Sequence, residues 1–390
     1  MANTIAAILP KILARGLLVL RERSVMPRLV NSDYSTDAAK KGATIDVPIP
    51  TAVGVSDVVP SNVPPVPSDT VTRTVPITLD KWKKSDPIHL TDKELTEIDA
   101  NEHFLPGQVA ESIRALANQV NADILDEYKG VYTHTGSVGA IPFAADVTDA
   151  TQSRKALNQN RAPKDMRRGV LDFDAEANAL ALAPFSDADK IMSATVRIEG
   201  EIGRKYGIDW VAEDNVPTHT TGATTGGAIA VDNGGGYPAA PNALQSTIHV
   251  DGLLTSAADG DLLSFAGHSQ SYAVVATDAL AGADQNWTLQ PGLQAAIADD
   301  EVITVVASHK VNLVFHRDAF AYAARPLLSS TLDTSSGLGV QMLSLQDPQT
   351  RVILRLEVSR QYKQTVWEFD ILYGVKLVRP ELAVRLKGQP

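Results

Sequence analysis

Hydrophobic positions repeat along this chain with two periods, and the changes between them divide it into segments. In residues 104–129, Val109, Ile113, Leu116, Val120, Ile124 and Tyr128 fall three or four apart, which predicts one apolar face of a long helix. Glu111, Arg114, Asn118, Asn121 and Asp123 occupy its other faces. Pro106 suits a first turn and Gly130 a C-terminal stop. Some 25 residues make a rod of about 37 Å, long enough to serve as a spine beneath a sheet.

Residues 43–82 switch to a period of two. Ile45, Val47 and Ile49 alternate with polar or Pro positions, and Val71, Arg73, Val75, Ile77 and Leu79 alternate with Thr70, Thr72, Thr74 and Thr78. Two strands are predicted. Between them, Val53 to Asp69 carries Pro60, Pro64, Pro65 and Pro67, which excludes a helix or a central strand. A two-stranded ribbon is marginal in water, so this arm is expected to need a neighbouring molecule over it. Lys81, Lys83 and Lys84 at its base fit either a solvated face or a contact with acidic groups of an adjacent subunit.

Residues 1–40 read as a basic, amphipathic arm. Ile5, Ile8, Leu9, Ile12 and Leu13 recur at helical spacing, and Pro10 and Pro27 cut the pattern into short pieces. Such a stripe packs either on its own domain or on another molecule. Further on, Thr151 to Asn160 and Ala175 to Ala183 are predicted helices, with a strand over Gly169 to Phe173. Thr218 to Gly227 and Asn233 to Gly236 read as flexible linker. Then short strands follow at regular spacing: Ser246 to Val250, Asp261 to Phe265, Tyr272 to Thr277, Trp287 to Gln290 and Val302 to Val306. Turn pairs such as Asp259-Gly260 and Pro291-Gly292 separate them, the pattern of a small antiparallel barrel at 246–308 inserted into a host domain. After it, Val311 to Phe315 is an expected strand, Asp318 to Ala324 a short helix and Ser329 to Gly339 a polar loop. Val352 to Ser359, Val366 to Phe369, Ile371 to Val378 and Ala383 to Leu386 read as β runs.

With 390 residues the chain can bury a sizeable core without staples, and it has no cysteine, which removes disulfides, thiolate metal sites and a cysteine nucleophile. A net charge of −11 argues against tight nucleic-acid binding over the whole surface, and the 5% of aromatic residues offer few stacking platforms. The basic start is not a secretory leader in form: the apolar run Gly16 to Leu20 is too short, and Arg21 and Arg23 follow it. No stretch approaches the roughly 18 apolar residues of a membrane span. A cytosolic product is expected.

Motifs for chemistry are weak. The stretch Gly200-Glu201-Ile202-Gly203-Arg204-Lys205-Tyr206-Gly207 fits neither phosphate-loop nor dinucleotide spacing, and a turn is expected there. The eight His residues show no metal spacing. His316-Arg317-Asp318 mimics a kinase catalytic loop, but Ala323 stands where that loop needs Asn. Asp259, Asp261, Asp299 and Asp300 lack calcium-loop spacing and read as turn residues. No catalytic residue, metal ligand or cofactor site is assigned, and the chain is expected not to be an enzyme.

The string Val311-Asn312-Leu313-Val314-Phe315-His316-Arg317-Asp318-Ala319-Phe320-Ala321, with Arg325-Pro326-Leu327 after it, resembles the coat proteins of short-tailed, Salmonella-type phages. So does the ending Leu372-Tyr373-Gly374-Val375-Lys376-Leu377-Val378-Arg379-Pro380-Glu381, and Gly260-Asp261-Leu262-Leu263-Ser264-Phe265-Ala266-Gly267 is similar to a strand of the barrel inserted in those coats. In order, with arm, hairpin, spine helix and late insertion, the resemblance spans nearly the whole chain. It implies an α+β, Hong Kong 97-type phage capsid fold with an inserted small antiparallel β-barrel.

On that resemblance residues 1–42 are an N-terminal arm and 43–82 an extended β-hairpin loop. Residues 83–147 are a peripheral domain with its spine helix. Residues 148–216 and 309–345 form an axial domain around 217–308, the linker and barrel, and 346–390 supply closing strands. The insertion is shorter than in the best-known relatives. The implied function is a major capsid protein assembling as hexamers and pentamers into an icosahedral shell, with scaffolding and portal proteins, decoration proteins and enclosed double-stranded DNA as partners and no membrane. The virion is its expected location, after synthesis in the host cytoplasm. The expected subunit contacts are Val71, Arg73, Val75, Ile77, Lys81, Lys83 and Lys84. A cellular cargo compartment of the same fold, a secreted β-rich sugar-binding protein and an unrecognised hydrolase are the alternatives.

Overall fold

One long strand, Gln364–Leu377, organises the end of the chain in this computed structural model. The structure describes residues 13–20, 23–34, 44–49, 55, 57, 58, 60, 73–91, 93, 107–186, 202–222, 224–232, 246–281, 283–327 and 340–390. On one side the long strand pairs with Ile353–Gln361 and, further along, with Phe320–Ala324; on the other it pairs with Ile88–Thr91 and Lys81–Lys84. Val340–Gln346 adds the outer edge. Its odd positions Trp367, Phe369, Ile371, Tyr373 and Val375 are all buried, the period-two signature of a face turned to a core.

The element covering that face is the helix Gly107–Asp126, which runs on as a tight turn Glu127–Gly130. Val109, Ile113, Leu116, Val120, Ile124 and Tyr128 are all buried, as their spacing predicts; Phe104, Leu105 and Pro106 lie outside the described residues. Two polar bonds fix helix to sheet: Tyr373 donates its hydroxyl to Asp123 Oδ2 at 2.5 Å, and Leu377 its backbone N–H to Glu127 Oε2 at 3.0 Å. The first described helix, 13–20, lays Leu13, Leu17 and Leu20 into the same core, where Gly16 faces Ile113. The described part of the arm therefore packs on its own chain; Ile5, Ile8, Leu9, Pro10 and Ile12 fall outside the described residues.

A second sheet runs in the order His134–Thr135, Ala383–Gly388, His309–His316, Arg167–Leu171, Ile208–Ala212, Gly203–Lys205, with Thr218–His219 also paired to His309–His316. Helices Thr148–Gln159 and Phe173–Ala181 bury Leu157, Ala175 and Ala179 in the common core. The glycine-rich stretch near 203 is the tight turn of a hairpin, with Tyr206 and Gly207 at its tip.

Two expectations are corrected. The segment 318–324 is not a helix: Arg317–Ala319 makes one tight turn and Phe320–Ala324 is a strand. All five strand residues are buried, so an unbroken apolar run carried no period to separate strand from helix. The stretch read as linker also contains a strand, Thr224–Val231, paired with Thr247–Thr255. Its Gly and Thr content hid the apolar positions Ile229 and Val231, both buried. The linker positions Ala223 and Asn233 to Gly236, and the loop Ser329 to Gly339, lie outside the described residues.

The third sheet holds the strands expected for the insertion, in the order Thr224–Val231, Thr247–Thr255, Gln285–Gln290, Tyr272–Thr277, Leu262–Ser264, Thr304–Val305. Backbone bonds from Ile303 N to Ile229 O at 2.9 Å and from Val231 N to Glu301 O at 3.1 Å bring its two ends together, so the sheet is nearly closed. Trp287, Tyr272, Val250 and Leu263 fill its inside, a core separate from that of the host.

The two predicted strands pair: Thr44–Ile49 lies antiparallel to Arg73–Thr78, with Ile45 opposite Ile77, Val47 opposite Val75 and Ile49 opposite Arg73. Its base, however, is covered by the same chain. Ile45, Val47, Ile77 and Leu79 bury against Ala321, Ala323 and Val378. The crossing needs Gly374, since a Cβ there would lie 2.3 Å from the Thr78 carbonyl oxygen. Gly374→Ala is expected to cost about 1–3 kcal/mol in chemical denaturation, because backbone rather than a flexible side chain must move. Gly107→Ala, with nothing within 4 Å, is expected to be neutral or mildly stabilising in the same assay.

Candidate assembly surfaces

The hairpin divides the expected contact residues into two groups. Ile77 is fully buried in its own chain and Val75 half-buried beside it, so these two hold the base of the arm. Arg73 is exposed at the last described ladder position, and Val71 lies outside the described residues. Beyond the base, Val55 and Val58 are 100% and 92% exposed. A β-branched side chain left wholly in water is ordinary singly; two within four residues are apolar positions with no cover from their own chain.

The three lysines follow the hairpin on the strand Lys81–Lys84. Lys81 pairs with Asp123 at 3.6 Å and Lys84 with Glu368 at 2.7 Å; Lys83 is half-buried. The first two have acidic partners inside the chain. Between them stands Trp82, 62% exposed, whose indole Nε1 donates to Asp370 Oδ2 at 2.8 Å. Asp370 also receives Arg355, from Nε to Oδ1 at 2.8 Å and from the terminal nitrogen to Oδ2, and the Arg355 guanidinium lies 5.9 Å from the Trp82 ring centre. An exposed Trp held by a buried carboxylate and an Arg has the composition of an interface anchor. No local pattern announces this group, because Trp82 and Asp370 are 288 positions apart and meet only through strand pairing.

Between hairpin and insertion lies an open cleft of about 550 Å³, with Ile49, Arg73 and Val75 on one wall and Leu289, Pro291 and Leu377 among the others. The segment that holds the third sheet carries the charge asymmetry of the molecule. Residues 217–308 hold nine Asp and Glu and no Lys or Arg, so −9 of the net −11 resides in this module. Asp232, Asp284 and Asp300 crowd Asp251, whose carboxyl is raised from its ordinary range first by burial and then by these charges. Among the described residues no three His, Cys, Asp or Glu side chains come together as a metal-binding set.

The arm is tied down by a second polar group. Asn121 of the spine helix accepts the Met26 backbone N–H at 3.2 Å and donates to the Arg23 carbonyl at 2.8 Å and to Glu213 Oε1 at 3.1 Å. Asn215 donates to the same Glu213 oxygen at 2.8 Å. Burial pushes the Glu213 carboxyl up to about 7, with Asp214 adding to the rise. A carboxyl raised on folding favours the native state below the unfolded pKa, near 4.5, and loses that contribution as pH rises through 7. Glu213→Gln removes this loss. Its melting temperature relative to the natural chain is therefore expected to climb between pH 4.5 and 7 and to level off above; a pH-independent difference would show that Glu213 does not titrate in this window.

No protein-family model matches the chain, and no curated protein sequence matches it. Among solved structures, the mixed α+β fold is similar to a chain of Mycobacterium phage Che8, at 15% identity and a TM-score of 0.49 over 93% of this chain and 90% of that one. It is similar to the capsid of the cyanophage P-SCSP1u, at 13% identity and a TM-score of 0.48 over 94% and 88% of the two chains. It is also similar to a virus-like particle from Pyrococcus furiosus, at 10% identity and a TM-score of 0.44 over 97% and 98%.

Proposed function

We propose that this chain is a shell subunit: a tailed-phage major capsid protein of the Hong Kong 97 type, built into hexamers and pentamers around double-stranded DNA, and not an enzyme. The observation that carries this reading is the hairpin, anchored in its own core by Ile45, Val47, Ile77 and Leu79 while Val55 and Val58 stand in water. An anchored arm with an uncovered apolar tip fits a subunit whose neighbour completes its surface. On this reading 13–34 is the end of the arm, Gly107–Asp126 the spine of a peripheral domain, and the sheet around His309–His316 the axial domain.

Scaffolding, portal and decoration proteins are the partners this reading brings with it. Enclosed DNA would be repelled by the insertion, which has nine acidic groups and no Lys or Arg, so that module faces away from the nucleic acid. Closure around a shell multiplies contacts that are individually modest. Negative-stain microscopy of the purified chain, co-produced with its scaffolding protein, tests the reading. Closed particles of uniform diameter are expected, and dispersed monomers at high concentration would overturn it.

A further inference from the structure

The chain enters and leaves the insertion at one place. Thr218–His219 leads out, His309–Lys310 leads back, and these two crossings pair with each other, His219 opposite His309. Around them a buried polar group joins insertion to host. Arg385, fully buried on the last host strand, donates to the carbonyl of Gly260 in the insertion at 2.7 Å and to that of Lys129 in the host at 3.0 Å. Its guanidinium lies 4.9 Å from the Tyr128 ring centre. The Tyr128 hydroxyl meets His219 Nδ1 at 3.0 Å, and His219 Nε2 meets Asp261 Oδ1 at 2.9 Å. Asp261, itself fully buried, also accepts the Ala258 backbone N–H at 2.9 Å.

His309 stands beside this group with its ring 5.4 Å from that of His219. Its Nδ1 lies 2.8 Å from the Ala307 carbonyl, which can only accept, so the proton of the neutral ring sits on Nδ1. Nε2 is buried and has no partner. A proton added there would create a buried N–H without an acceptor, facing Arg385, Lys387 and His219. His134, on the host strand paired to the far side of Ala383–Gly388, has the same problem: Nδ1 is buried without a partner, and Lys387, Arg385 and His309 face it. The whole group contains one carboxylate, Asp261, against these basic side chains, with Tyr128 between.

We propose that this hinge is an acid-sensitive latch: proton uptake by His309 and His134 releases the insertion from the host, each part keeping its own core. The separate cores make such release possible without unfolding either part. Burial, followed for His134 by the Lys387 charge, lowers both histidines from 6.5 to about 4. For a histidine lowered by docking, the docked form is fully favoured above 6.5 and loses ground as pH falls from 6.5 to 4. Between pH 6.5 and 5 each histidine should raise the open population about tenfold.

Hydrogen exchange of the full chain, corrected for the intrinsic rate at each pH, reads this directly. Between pH 6.5 and 5, segments 218–222 and 258–262 should lose protection about a hundredfold, while 285–290 inside the insertion, and 383–387 and 113–125 of the host, keep theirs. His309→Asn, which keeps a donor for the Ala307 carbonyl but cannot gain charge, should reduce the response about tenfold. His134→Asn should do the same and serves if the first variant fails to fold. The proposal is overturned if the hinge segments stay protected at pH 5, if all segments lose protection together, or if the folded variants respond like the natural chain.

Discussion

Deletion of Val53–Asp69 is expected to yield a folded monomer that does not form the proposed shell. The monomer survives because the strands that anchor the hairpin are outside the deletion: Ile45, Val47, Ile77 and Leu79 remain packed on Ala321, Ala323 and Val378. Val55 and Val58, which the deletion removes, contribute little to the monomer, being 100% and 92% exposed. On the proposed shell reading the same two valines become buried. At about 1.5–3 kcal/mol for a fully buried Val, losing both weakens each contact by about 3–6 kcal/mol, or at least a hundredfold in its equilibrium constant. If every subunit makes the proposed contact, the loss recurs around the particle. Melting temperature should move by no more than a degree or two, while microscopy and sedimentation find no closed particles. Normal particle yield would remove the hairpin tip from the assembly mechanism.

Arg385→Met is expected to cost roughly 3–5 kcal/mol of monomer stability, the cost of removing one partner from a buried charged network. The guanidinium is fully buried and burial pulls its pKa down to about 9, so the site already holds the charge at some cost. The substitution leaves the Gly260 and Lys129 carbonyls without these donors and takes the cation away from Asp261. For a domain stable by 5–15 kcal/mol this is a large fraction of the whole. Chemical denaturation measures it through the midpoint. Arg385→Lys keeps the charge but not the two-pronged fork, and should fall between. A change below 1 kcal/mol for Arg385→Met would show that the junction is not what fastens the insertion.

How far the sequence could be read depended on whether a segment kept one period. The spine helix repeats its large apolar residues Val109, Ile113, Leu116, Val120 and Ile124 at three- and four-residue steps, and the hairpin keeps alternation through Ile45, Val47, Val75 and Ile77, so both elements were legible. Phe320–Ala324 is buried on both faces and has no period, and Thr224–Val231 hides two core residues among Gly and Thr. The strings that resemble phage coats sit where elements converge: Val311 to Ala321 covers a central strand and the turn into the next, and Leu372 to Glu381 carries Gly374 beneath the hairpin. Among the expected contacts Lys81, Lys83 and Lys84 were legible only as a charge run. Their acidic partners Asp123 and Glu368, and the Trp82–Asp370–Arg355 group, come from distant strands that only the folded sheet brings together. For the same reason no local pattern announced Arg385, Tyr128, His219 and Asp261.

The chain's lack of cysteine allows one measurement that reads the central contact directly. Ser61→Cys in the hairpin tip is labelled with a short photo-crosslinker, and particles are assembled from equal amounts of isotopically heavy and light chains. Crosslinked peptides from the tip are expected to include heavy–light pairs at the statistical proportion, which places the arm on a neighbouring copy. Crosslinks confined to heavy–heavy and light–light pairs would mean that the tip lies on its own chain, and would contradict the account.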